Sequence, residues 1–381
     1  MKKSILLVAI AALAIVSCTK KQQTEEGTTP TPAQSLIARL DTLKDKGYMF
    51  GHQDDPFYGI TWEWERGRSD TKELVGDYPA VMGFEIGGIE VGDLKNLDSV
   101  PFNWMQEEII AHHKRGGIIT ISWHPRNPLL GTTAWIENDL AEYNKAVAEL
   151  EAKGESTENL INPKRTVAEM LEGGCIHDKA LTWLNRVTTF LEGLKTEDGE
   201  MVPVILRPWH ENTGNWFWWG EANCSAEEYK ALWNMTQDYI NDRLPGQFVW
   251  SYSPSPRSME HFLERWPGED RVQLLGVDAY QWGTEEDFKN GLEFGLNFMN
   301  EYAKDKDILI AVTECGRVNS DVPDWWTRVF DPIAKNYPIC YCLPWRNAAK
   351  EHFGPSKDAP TAEDFKQFYA LPHTLFLNEI K

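Results

Sequence analysis

The stretch VILRPWHENTGNWFWWG, Val204 to Gly220, changes character halfway along. It opens as a short apolar run that is too apolar for a strand with one face in water. It then reaches a carboxylate, Glu211, among a crowd of indole rings. A strand apolar on both faces belongs in a parallel sheet covered by helices on both sides. The polar residue that closes it would then stand where the strand meets solvent.

Seven more runs of the same kind surround it. They are YMFGHQ (Tyr48–Gln53), AVMGFEIG (Ala80–Gly87), IITISWH (Ile118–His124), FVWSYSP (Phe248–Pro254), LLGVDAY (Leu274–Tyr280), ILIAVTE (Ile308–Glu314) and ICYCLPWR (Ile339–Arg346). Amphipathic segments with helical spacing lie between them, such as NWMQEEIIAHHKRG, HDKALTWLNRVTTFLEGLK and SAEEYKALWNMTQDYINDRL. Eight strand–helix units predict an α/β chain folded as a (β/α)8 TIM barrel, a fold of about 250 residues before insertions. The other parallel architecture, a doubly wound sheet, would want a glycine-rich phosphate loop after the first strand, and there is none.

The ends of the chain read differently. Lys2 and Lys3 followed by the apolar run Ile5–Val16 form a signal peptide, too short for a stable membrane span. The run closes on IVSC, which resembles a bacterial lipoprotein signal and makes Cys18 the lipidated residue. Residues 1–17 are therefore expected to be a signal, 18–34 a lipid-anchored polar linker, and 35–381 the catalytic barrel. This implies an exported protein held to a bacterial membrane on the periplasmic or surface side.

A net charge of -20 disfavours nucleic acid and anionic membrane surfaces as partners. The 17 tryptophans exceed what a core needs, so some are expected to face a ligand with flat apolar faces. Cys175, Cys224, Cys315, Cys340 and Cys342 show no zinc spacing, and no metal or organic cofactor is implied. His112 and His113 are adjacent on a helix, cannot face one site together, and are read as surface residues.

In a barrel the chemistry sits on the rim where strands end. The endings here are His52, Glu85, His124, Glu211, Tyr280, Glu314 and Arg346. Glu211 closes strand four and Glu314 closes strand seven, so their carboxyls converge across the mouth. Two convergent carboxyls, one protonated and one ionised, suit cleavage of a glycosidic bond.

RPWHENTGNWFWWG together with VTECG, SWHP, GVDAY and PWR, in that spacing, resembles glycoside hydrolase family 26, the family of many β-mannanases. The resemblance implies a retaining enzyme acting on mannan or manno-oligosaccharides, with Glu211 as general acid/base and Glu314 as nucleophile. The same mechanism on β-1,3-xylan or mixed-linkage β-glucan stays open, as does a lipoprotein that binds glycans without cleaving them. Beside the resemblance, Tyr280 is expected to donate to Glu314, Arg346 to add positive charge near it, and His210 to hold it. Trp216 should desolvate Glu211. His124 and Asp278 are the expected polar contacts for sugar hydroxyls. Trp216 and Trp345 are expected to stack on sugar rings. Trp209 should point into the barrel wall, and Trp218 and Trp219 should divide between core and subsite. Asp55, Trp62 and Trp64 receive no role. The loop from Arg126 to Gly174, with a helical stretch at Ala141–Lys153, far exceeds the usual 2–6 residues or so. It could wall off one end of the cleft and favour release of mannobiose from chain ends. Oligomeric state is not legible.

Overall fold

A computed structural model describes residues 29–256 and 261–381. The signal segment and Cys18 lie outside the described residues. Eight parallel strands alternate with helices: β1 (Tyr48–Gln53), β2 (Val81–Glu85), β3 (Ile118–Trp123), β4 (Val204–Pro208), β5 (Phe248–Tyr252), β6 (Leu274–Gln281), β7 (Leu309–Arg317) and β8 (Ile339–Pro344). Each pairs in parallel with the next, and β1 pairs with both β8 and β2, which closes a (β/α)8 barrel. A two-residue β9 (Thr374–Leu375) adds to β1 on the outside. Nearly every strand residue is buried, as continuous apolar runs require when side chains alternate between the barrel interior and the helix layer. No helix among the described residues is long and apolar enough to cross a membrane.

The barrel floor is closed by α1 (Pro32–Lys44). Thr31 caps it: its hydroxyl accepts from Gln34 N, the Gln34 side chain accepts from Thr31 N, and Pro32 supplies a preset first turn. The helix thus starts before Ser35, where the linker was expected to end. Ala33, Leu36, Leu40 and Leu43 recur at helical spacing and pack on Met49, Val81, Ile118, Ile205, Val249 and Leu309 at the starts of the strands. The floor is thus sealed by apolar packing, at the opposite end of the barrel from the rim.

Two expectations about packing need correction. His112 is fully buried, with Nε2 3.4 Å from Ala80 O, and burial lowers its pKa to about 4. Its adjacency to His113 forbids a shared site, but it shares a helix face with Met105 and Ile109, which turns it into the sheet. Trp218 and Trp219 are both wholly core. The cysteines form no disulfide among the described residues.

Leu40→Ala should remove the centre of the floor plug. We expect a loss of about 2–5 kcal/mol in stability, seen as a lower denaturation midpoint, with turnover at room temperature unchanged. A matching loss of turnover in the folded variant would contradict this separation of floor and rim.

Candidate active site

The rim is built around the turn that ends β4. Trp209 and Glu211 both take left-handed backbone angles, φ 54° and 51°, on either side of His210. Such angles are costly for bulky residues and persist only where surroundings fix them. Here the aromatic run does the fixing. Trp219 Nε1 donates to His210 O at 2.8 Å, Tyr229 Oη donates to Trp209 O at 2.9 Å, and Glu211 N donates to Ser253 O at 2.6 Å. Trp209 itself turns outward, donates to Thr236 Oγ1 at 3.1 Å and packs on Trp123, Trp218 and Trp219. Of the aromatic run, only Trp216 and Phe217 line the cleft.

That cleft has a volume of about 420 Å³, and both Glu211 and Glu314 line it. Oxygens of Glu211, Asp278 and Glu314 all lie within 4.8 Å of one another. Three ionised carboxylates cannot share so small a space without compensation. Arg207, from the interior face of β4, supplies it. Its Nη1 donates to both Asp278 oxygens at 3.2 Å, and its Nη2 donates to Glu314 Oε1. It does not reach Glu211. Burial and the neighbouring Glu314 charge accordingly push the Glu211 carboxyl well above the usual range, against a 2.6 Å bond from Trp216 Nε1 that favours its ionised form. Of the two glutamates, the one without a guanidinium is the one whose carboxyl is pushed toward its protonated form. Glu314 is wired differently: besides Arg207 Nη2 on Oε1, it accepts from Tyr280 Oη at 2.7 Å on Oε2. Burial pushes Asp278 up as well, to about 8, against Arg207, and Thr313 Oγ1 donates to it at 2.6 Å.

Several expected residues sit in other roles. Arg346 reaches the cleft, but its Nε is 3.0 Å from Asp98, and its charge faces Asp98, Tyr58 and Asp54. Arg207 supplies the positive charge expected of it. His210 Nε2 lies 3.8 Å from Glu314, beyond a hydrogen bond, and 3.0 Å from His124 Nε2. His124 Nδ1 is 2.7 Å from Glu85 Oε2, so both His124 nitrogens are engaged within the protein and the cleft meets the ring. Asp278 likewise has both oxygens on Arg207. Trp345 lines the cleft, with its ring 6.0 Å from His124. His52 ends β1 as expected but is buried against Asp55 at 2.7 Å, away from the cleft.

Glu85 was missed as a site residue. It is fully buried and accepts from Gly87 N, His124 N, His124 Nδ1 and Ser122 Oγ, all at 2.6–2.7 Å. These bonds hold it below the usual carboxyl range despite burial, and its charge helps hold His124 above the ordinary imidazole value. Trp135 and Trp282, 44% and 55% exposed, also line the cleft and offer open indole rings; Trp135 stacks on His124 at 5.6 Å. The rule that strands end in functional residues could have raised Glu85, but nothing in the residue order reports what it touches.

Two facing carboxyls at the rim of β4 and β7, one bound by a guanidinium and a phenol and the other pushed above its usual range, form the site of a glycosidase. The chain belongs to glycosyl hydrolase family 26, whose family model matches residues 26–345. It resembles a family 26 β-mannanase from Bacteroides ovatus at 39% identity, covering 92% of this chain and 96% of that one with a TM-score of 0.83. A modular endo-β-1,4-mannanase from Cellulomonas fimi is 28% identical over 93% of this chain and 79% of its own, with a TM-score of 0.76. A mannan endo-1,4-β-mannosidase from Bifidobacterium adolescentis is 28% identical over 339 residues, 81% of this chain. This chain spans 31% of the length of that relative.

Trp216→Phe keeps the apolar bulk beside Glu211 and removes the N–H that favours its ionised form. The Glu211 pKa should rise further. A hydrogen bond of about 0.5–1.5 kcal/mol corresponds to up to about one pH unit. With Glu211 as the proton donor that the family resemblance implies, the alkaline limb of kcat/KM should move to higher pH. A limb that stays put or moves down would show that Trp216 does not tune this group.

Proposed function

We propose that this protein hydrolyses β-1,4-mannosidic bonds within mannan and manno-oligosaccharides, with retention of configuration, by double displacement on two glutamates. The observation that carries the reading is the unequal wiring of the pair: Glu314 on Arg207 and Tyr280, Glu211 on neither. The oxygen separation of no more than 4.8 Å suits direct attack by one carboxylate, since retaining sites hold their carboxyls about 5–5.5 Å apart and inverting sites leave room for a water. The substrate is carried over from the relatives, which are named as mannanases.

In the first step Glu314 attacks the anomeric carbon while the Glu211 proton passes to the departing glycosidic oxygen. The leaving chain departs as an alcohol, and the sugar stays on Glu314 as an ester. Esterification removes the Glu314 charge, one of the forces raising the Glu211 pKa. Glu211, now ionised and more acidic, takes a proton from water, which attacks the same carbon and frees Glu314. Each step resets the protonation state needed for the next.

Of the long loop after β3, Arg126 and residues 131–135 reach the rim cavities, while its helix Glu137–Lys153 lines neither. This favours cutting within chains over release of mannobiose from chain ends. We expect mannan viscosity to fall early, with a ladder of products of β-configuration, and no comparable release from β-1,3-xylan or lichenan. Glu314→Gln should nearly abolish turnover and keep oligosaccharide binding. Glu211→Gln should cost about 10²–10⁴-fold, less with leaving groups that need no proton. Wild-type rates in Glu314→Gln would sink the mechanism, and a first product of α-configuration would exclude double displacement.

We also propose that lipid on Cys18 anchors the enzyme to a bacterial membrane, on the strength of the IVSC signal and the polar segment after it. Cys18→Ala should release the protein from membranes with unchanged activity per molecule. Continued partition with membranes would place the anchor elsewhere.

A further inference from the structure

Beside the cleft lies a second cavity of about 410 Å³, close to the cleft in size and within the ~300–1,000 Å³ of ordinary ligand pockets. It opens between the loop after β2 and the loop after β3, and shares Leu97, His124 and Trp135 with the cleft. No step of the proposed reaction uses it.

Its walls are built to stay apart. Beneath it the buried Glu90 carboxylate accepts from Gly88 N at 2.8 Å and Trp123 Nε1 at 3.1 Å on one oxygen, and from Arg126 N at 2.9 Å on the other. It thereby ties the β2 loop to the β3 loop. Arg126 Nη2 and Asp93 pair at 2.8 Å across the two loops. On the far wall the buried Asn127 Oδ1 accepts from Leu129 N, Leu130 N and Thr166 Oγ1 at 3.0–3.2 Å, which fixes the loop that carries Thr132 and Thr133. Ala134 O, next along, accepts from Trp218 N at 3.2 Å. Fixed walls lower the ordering cost of binding.

The lining selects for a particular chemistry. Asp93 and Arg126 offset each other, which gives no preference for a net charge. Their heads offer hydrogen bonds at the rim. The Thr132 and Thr133 hydroxyls, whose protons go to Asp139 Oδ2 and Trp135 O, keep lone pairs that accept from a ligand hydroxyl. Leu97 and the exposed part of the Trp135 ring offer an apolar face. An uncharged ring with hydroxyls on its edge and C–H bonds on its face matches both. We propose that this cavity binds one pyranosyl unit of the substrate outside the cleaved position, either a branch on the main chain or the next unit of the chain itself. The proposal rests on the reading of the neighbouring cleft as a polysaccharide site.

The test uses the full-length enzyme, Arg126→Ala and Thr133→Trp, both at exposed positions. The first removes a polar head, and the second fills the cavity. kcat/KM is measured on linear manno-oligosaccharides of increasing length and on the same oligosaccharides with one α-1,6-linked galactosyl branch. If the wild type cleaves none of these, the function reading fails before the cavity is tested. With wild-type cleavage in hand, Thr133→Trp should cost about tenfold or more, and Arg126→Ala about three- to tenfold. The shortest linear substrate should be cleaved at the wild-type rate by both. A loss confined to branched substrates assigns the cavity to a branch, and a loss that grows with linear length assigns it to the main chain. Unchanged kcat/KM on every substrate overturns the proposal, as does an equal loss on all of them, which would report damage to the catalytic centre.

Discussion

The site depends on one buried cation. Arg207 is almost fully buried inside the barrel mouth, where an unpaired charge would be very costly. It is tolerated because two carboxylates receive its forked donors, one from β6 and one from β7. The same pairing decides the chemistry. A guanidinium shared by Asp278 and Glu314 leaves Glu211 as the remaining carboxyl, and burial beside negative charge holds a proton there. In the proposed reaction the two glutamates are thus distinguished by their position relative to one arginine.

That arrangement works only if the end of β4 departs from regular strand geometry. Regular alternation would send the residues after Arg207 in and out by turns. Two left-handed angles break the alternation and bring His210 and Glu211 to the mouth in succession. The energetic cost falls on the aromatic layer, in which Trp123, Trp209, Trp218 and Trp219 pack edge to face or tilted with centroids 4.9–5.6 Å apart. Two of their indole N–H groups donate to backbone carbonyls of the rim, His210 O and Pro125 O. The tryptophans that read as a sugar platform are largely the clamp that holds a strained catalytic turn.

This is why legibility in the sequence stopped where it did. Strand positions could be read, because burial on both faces leaves an apolar signature, and β1 matched its run from Tyr48 to Gln53. The convergence of Glu211 and Glu314 could also be read, since it follows from strand order around a barrel. What could not be read was the direction of a side chain once the backbone leaves the strand pitch. Trp218 and Trp219 lie past the left-handed turn, and their burial depends on how that turn folds back. Arg346 was placed near Glu314 by its position at the end of β8, yet Asp98, on a loop more than 240 residues earlier, draws it aside. Glu85 stood among the strand ends and went unassigned, because its meaning lies wholly in its contacts with the next strand.

The histidine pair shows the same dependence on wiring at finer scale. His124 and His210 meet through their Nε2 atoms at 3.0 Å, and only one proton fits between them. The ionised Glu85 beside His124 Nδ1 accepts and cannot donate, so that nitrogen carries a proton. The upward push on His124 favours a ring whose Nε2 also carries a proton and donates to His210. His210 is pushed well down by burial and by the neighbouring His124 charge, which favours its neutral form. In that state positive charge stands on His124 and on Arg207, with a neutral His210 beside them. A fully buried carboxylate on β2 thus biases the charge state of a ring just past β3 that lines the cleft.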